Sequence, residues 1–197
     1  MTKEMWKRFG IGASVLTVLA VGVALSLPSS QAAISAPVVC NGSKDHIIHI
    51  YGGPPVHVAT TGSLTAGVGS TYITPDGRQG TSLSVQDVFS TGNVEGLGTA
   101  TFKLDATRKA GPSSIEANQK GQAFPATQTM RFHFTFDLDG ATYRSITPAT
   151  VTNTAVSQFP PAPGTTYVLT SELQLEDVNK PGVVAITMDP GKAFTIN

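Results

Sequence analysis

Between Met130 and Leu138 the side chains alternate without a break: Met130, Phe132, Phe134, Phe136 and Leu138 are apolar, and Arg131, His133, Thr135 and Asp137 are polar. A period of two is the signature of a pleated strand with one apolar and one polar face, so this stretch is expected to cover a core. Asp139-Gly140 supplies two residues that tolerate positive φ, as a type I′ turn requires, and Ala141 to Ile146 returns alongside. A two-residue turn fixes the register, with Leu138 opposite Ala141, Phe136 opposite Tyr143 and Thr135 opposite Arg144. Phe136 and Tyr143 then pair on the apolar face, and Asp137 lies diagonally within reach of Arg144 on the polar one.

The chain opens with a short basic region, Lys3 to Arg8, followed by an apolar run from about Ile11 to Leu27. Small residues Ser30 and Ala32 stand where a secretory peptidase would cut, so residues 1–32 are expected to be a signal peptide of bacterial type, helical and removed on export. An uncleaved membrane anchor is the alternative, because the run approaches the length of a spanning helix. A periplasmic or extracellular location follows from either, with membrane attachment only if the leader is retained. The full chain has 13 basic and 13 acidic residues; removal of Lys3, Lys7, Arg8 and Glu4 leaves 10 against 12. That balance offers no field for nucleic acid. Cys40 is the single cysteine, so no intrachain disulfide forms and packing must hold the fold.

Residues 33–44 read as an extended N-terminal arm, with 45–197 as a single domain. Asn41-Gly42-Ser43 has the form of a glycosylation sequon, although a bacterial-type leader argues against its use. Asp45 to Tyr51 is the first expected strand. His46, Ile48 and Ile50 share one face and Ile47, His49 and Tyr51 the other, so neither face is polar throughout. Further short strands follow at turn-bounded intervals: Leu83, Val85 and Phe89 in one phase, then Ala100, Phe102 and Leu104, and later Tyr167, Leu169, Leu173 and Leu175. Many short alternating strands and no helix after the leader point to an all-β, antiparallel two-sheet sandwich, immunoglobulin-like or jelly-roll-like, with about 8–10 strands.

Two segments depart from that rhythm. Residues 106–127 carry Arg108, Lys109 and Lys120 and few apolar groups, and read as a long loop in which Ser113 to Asn118 could make one helical turn. Phe159, Pro160, Pro161 and Pro163 form a stiff polyproline-like crossover, with Phe159 plugging the rim of the core.

Motifs for chemistry are sparse. His46, His49 and His57 have a metal-like spacing, but His46 and His49 face opposite ways on a strand and cannot share one ion. Asp137-Leu138-Asp139-Gly140 begins like a calcium loop, yet Thr142 and Pro148 stand where further ligands belong. No nucleophile elbow or phosphate loop is present, and Glu172 and Glu176 share a strand face without a defined partner. No cofactor is expected. The reading that follows is an exported, non-catalytic β-sandwich acting by surface contact as a structural, accessory or adhesion protein. Strand addition at free edges or self-association would use His46, His49, the basic loop residues and the proline-rich crossover. A small-ligand domain for sugar or lipid, using Tyr51, Tyr72 and Tyr143, is the second class, and a hydrolase with a scattered site the third.

Overall fold

A computed structural model describes residues 37–197. The leader, its helix and its cleavage site lie outside the described residues. Within them are thirteen strands and no helix: β1 (Val38–Ile50), β2 (Pro55–Ile73), β3 (Gln79–Val94), β4 (Gly98–Leu104), β5 (Ser113–Ala117), β6 (Ala126–Phe132), β7 (Phe134–Leu138), β8 (Ala141–Ser145), β9 (Ala149–Val156), β10 (Thr166–Leu169), β11 (Leu173–Asp177), β12 (Val184–Met188) and β13 (Gly191–Ile196). The chain is all-β, and every pairing is antiparallel.

The organising hairpin has the register set by its turn. Leu138 faces Ala141, Phe136 faces Tyr143 and Thr135 faces Arg144, while Asp139 and Gly140 have φ of 48° and 75°. The Phe136 and Tyr143 rings lie 6.4 Å apart. The diagonal ion pair is different from the one expected. Asp137 bonds Lys103 Nζ at 2.8 Å, and Arg144 pairs with Glu176 at 2.7 Å, because adjacent strands offer nearer partners than the diagonal.

Two sheets were expected; one forms, and it closes on itself. β1, β2 and β3 run unbroken, and the other ten strands join end to end as five interrupted passages: β4/β5, β6/β7, β8/β9, β10/β11 and β12/β13. From β3 the ladder divides. One branch runs β4-β7-β8-β11-β12 and the other β5-β6-β9-β10-β13, and both return to β1. Each passage thus pairs with the one before and the one after it, and the eighth with the first, which makes an elongated eight-passage up-and-down barrel. Alternation is the same in a sandwich and a barrel. The closing pairs that distinguish them join Ile48 to Met188 and Gly42 to Ile196, far apart in sequence. Pro112, Pro148 and Pro190 stand at three of the five interruptions, where a residue without an N–H cannot continue the ladder.

Three local readings change. Val38–Lys44 is no loose arm; it pairs with β2 from Val38↔Ala66 to Lys44↔Thr60. Ser113–Ala117 is a strand and not a helical turn, since buried Ser113, Ile115 and Ala117 alternate with Ser114 and Glu116. Phe89 is 44% exposed and Val88 buried, because the bulge at Gln86, between the pairs Ala66↔Val85 and Thr65↔Asp87, moves the apolar phase by one residue.

Closure also removes the free edges on which strand addition would depend. The inward face holds a core that includes Ile48, Val58, Phe102, Phe136, Leu175 and Ile186. At the end where β9 turns to β10, Phe159 packs on a smaller cluster of Leu83, Ile115, Ala126 and Val156.

Candidate functional site

Even-numbered residues of β1 point inward. Cys40, Lys44, His46 and Ile48 therefore follow one another along the barrel interior. Lys44 is 7% exposed. Its Nζ donates to Ser90 Oγ at 3.0 Å, Thr60 Oγ1 also donates to that oxygen at 3.2 Å, and the ammonium lies 5.8 Å from the ring centres of both Phe102 and Phe194. Small neighbours make room for it. Gly42, Gly62 and Ser90 form one cross-strand row, and Thr60 faces Lys44 directly.

Among the described residues no carboxylate forms an ion pair with Lys44, and one acceptor meets its three N–H groups. Burial lowers the amine's pKa to about 8, with the field of Asp87 acting against the fall. Next along the strand, His46 lies 5.4 Å from Phe102. Burial, reinforced by Lys44, lowers its pKa to about 4, so it is a neutral imidazole at pH 7.

These two groups line an otherwise apolar cavity of about 40 Å³ bounded by Met130, Phe134, Val151 and Met188. Leu64, Met130 and Phe194 also line a smaller space of about 10 Å³ further along the barrel, where Tyr167 donates to Gln128 at 2.7 Å. Burial raises both the Tyr167 phenol and the Cys40 thiol, keeping them protonated and Cys40 a poor nucleophile.

A second hollow, of about 270 Å³, opens at the waist. β3 exchanges partners there: Phe89 is its last pair with β4 and Leu83 its first with β5, leaving 84–88 unpaired on that side. Arg108, Arg131, Asp105 and His133 line the hollow. Arg108 is anchored on the Ser145 and Ile146 carbonyls, the latter at 2.8 Å, and Arg131 reaches the Pro112 carbonyl at 2.8 Å. His133, expected on the outer polar face, is 5% exposed with Nδ1 at 3.0 Å from Ser145 Oγ.

The residues singled out from sequence scatter. His46 points inward and His49 outward, the latter against the Gly53 carbonyl and Asp189. Among the described residues no three His, Cys, Asp or Glu side chains come together as metal ligands. Arg108 and exposed Lys109 belong to the waist, whereas Lys120 lies at the β5–β6 turn beside Gly77. Phe159 is half-buried, Pro161 buried, and Pro160 and Pro163 exposed. The crossover closes one end of the barrel. Tyr143 is core and Tyr72 donates to Glu116 at 2.6 Å, leaving Tyr51 as the one freely exposed ring of the three. The sequence signal for Lys44 is its in-phase spacing with His46, Ile48 and Ile50, which the reading of residues 33–44 as an arm passes over.

The described residues thus form an antiparallel β-barrel around an apolar cavity lined by a buried lysine, Lys44. No protein-family model matches the chain, and no curated protein does. Among solved structures it is similar to DynF from the dynemicin biosynthesis pathway of Micromonospora chersina, with a TM-score of 0.62 and 17% sequence identity over 81% of this chain and 80% of that one. At that identity the likeness concerns the fold.

The buried amine has a pH signature. Unfolded, Lys44 titrates near 10.5, and folded at about 8, so between those values the unfolded chain binds the extra proton and stability rises with pH. Its burden is complete below pH 8 and gone above 10.5. Relative to a Lys44→Met variant, the native chain is expected to gain about 3 kcal/mol across that window. Denaturant unfolding of both proteins at pH 7 to 11 checks this, and the difference between them cancels the opposite contribution of Cys40. Parallel curves would refute it.

Proposed function

We propose that the protein binds a small apolar ligand bearing an anionic head, of the alkyl carboxylate type, inside its barrel, with the carboxylate on Lys44. This is the ligand-binding class, and the buried amine inside the barrel supports it. Export to the periplasm or beyond, inferred from residues 1–32, belongs to the same proposal.

The observation that carries it is Lys44 itself: a primary amine within an apolar enclosure, stabilised by two ring faces and a single hydroxyl, with no carboxylate at ion-pair distance among the described residues. A charge costs least in such surroundings when an opposite charge joins it. Ser90 and Thr60 supply further hydroxyls to a carboxylate, and apolar side chains surround its tail. The cavity is small, and the unbranched Met130 and Met188 on its wall are the side chains best able to shift for a longer tail.

Titration with decanoate carrying a ¹³C-labelled carboxyl, followed by NMR, tests the reading. Decanoate is expected to bind, and Lys44→Met to weaken it about 10–100-fold, the worth of a charge-assisted hydrogen bond. Decanol is expected to be indifferent to that substitution. Equal loss of both ligands, or no decanoate binding, would overturn the assignment.

A further inference from the structure

The waist hollow and the inner cavity share one lining residue, Phe132. Its ring is half-buried, lies 6.3 Å from Phe134, and with Val85 and Leu104 packs on the edge of the core. At this point one side chain lies between the hollow and the cavity. Ser84, Val85 and Gln86 of β3 line the hollow, on the side where 84–88 have no strand partner. At the end of the barrel, Phe159 packs on the Leu83, Ile115, Ala126 and Val156 cluster.

We infer that the waist hollow is the mouth of the barrel, through which an alkyl carboxylate passes to Lys44, and that Phe132 is its gate. This rests on the binding reading above. Charge fits the traffic: two arginines, Arg108 and Arg131, line the hollow against one acid, Asp105, and exposed Lys109 stands on the same loop. His133 adds no charge at neutral pH, since burial and the nearby Arg108 both lower its pKa. Arg108 is held by two carbonyls of the rim and Arg131 by the Pro112 carbonyl, and Arg131 and Lys109 are the exposed cations that present charge to an approaching anion. Movement of the Phe132 ring opens the route without breaking a ladder between continuous strands.

Line shapes of the ¹³C-labelled decanoate report exchange rates as well as affinity. Phe132→Ala is expected to raise association and dissociation together, each by about tenfold, because a gate sets the barrier in both directions. Phe132→Leu, which preserves more of the packing, is expected to shift both rates the same way by a smaller amount. Phe159→Ala, at the other end, is expected to leave both rates within about twofold. Arg131→Gln is expected to slow association alone, and added salt to erase the difference. Rates that respond to Phe159→Ala and ignore Phe132 would overturn the mouth while leaving binding intact. Failure of the native chain to bind decanoate would remove the binding reading, and the mouth with it.

Discussion

Truncation of Phe136 to alanine is expected to destabilise the barrel by about 3–5 kcal/mol, the cost of a cavity where a buried ring has been deleted. Phe136 is fully buried, its ring stacks on Phe102 at 4.5 Å, and it is bracketed by cross-strand partners Phe102 and Tyr143. Strands β4, β7 and β8 therefore hold it on both sides and cannot collapse readily into the space. Urea unfolding gives the measurement. The adjacent Thr135→Ala, on the outward face, is expected to change stability by less than about 0.5 kcal/mol, so equal effects at the two positions would contradict the assignment of faces.

Gly62→Ala is expected to cost about 3 kcal/mol for a single methyl group. A Cβ at this position would fall on the Phe89 carbonyl oxygen and Ser90 Cα and lie 2.6 Å from Ser90 Cβ. These are parts of the neighbouring strand, which cannot turn aside as a flexible side chain could. The same crowding occurs at Gly42, its cross-strand partner, where the backbone of Thr195 occupies the space. Two glycines in register let β1 and β2 lie close against the neighbouring β13 and β3 beside Lys44. Gly96→Ala is the informative comparison: its φ is +75° with open space around it, so only backbone strain of about 1 kcal/mol is expected. Melting or denaturant curves of the two variants should rank them in that order, with the Lys44–Ser90 hydrogen bond disturbed in Gly62→Ala alone.

Local order was legible wherever one period and one turn acted together. Met130 to Ile146 shows this: alternation assigns the faces, Asp139-Gly140 sets the count, and the pairs follow. Closure was not legible, because β1 meets β12 and β13 across most of the sequence and alternation carries no trace of the meeting. Phe89 misled for a smaller reason. A single bulged residue, Gln86, changes the parity of everything after it, and polar Gln86-Asp87 does not announce a bulge. The interior site was half visible. Alternation separates His46 from His49 without saying which of them faces inward, and Lys44, two residues earlier in the same phase, falls in the stretch that reads as an extended arm. A basic residue recurring at the parity of buried neighbours deserves to be followed inward before it is assigned to the surface.

The division of the ladder has a mechanical consequence. Three strands pass from end to end like the spine of a book, and the other five passages, of two strands each, are cut across like the free margins of its covers. Such a shell resists stretching along the spine and yields most easily by parting on the opposite side. Guest-driven swelling would accordingly concentrate strain at the five cuts and leave the hydrogen bonds of β1 with β2 and of β2 with β3 as the last to lengthen.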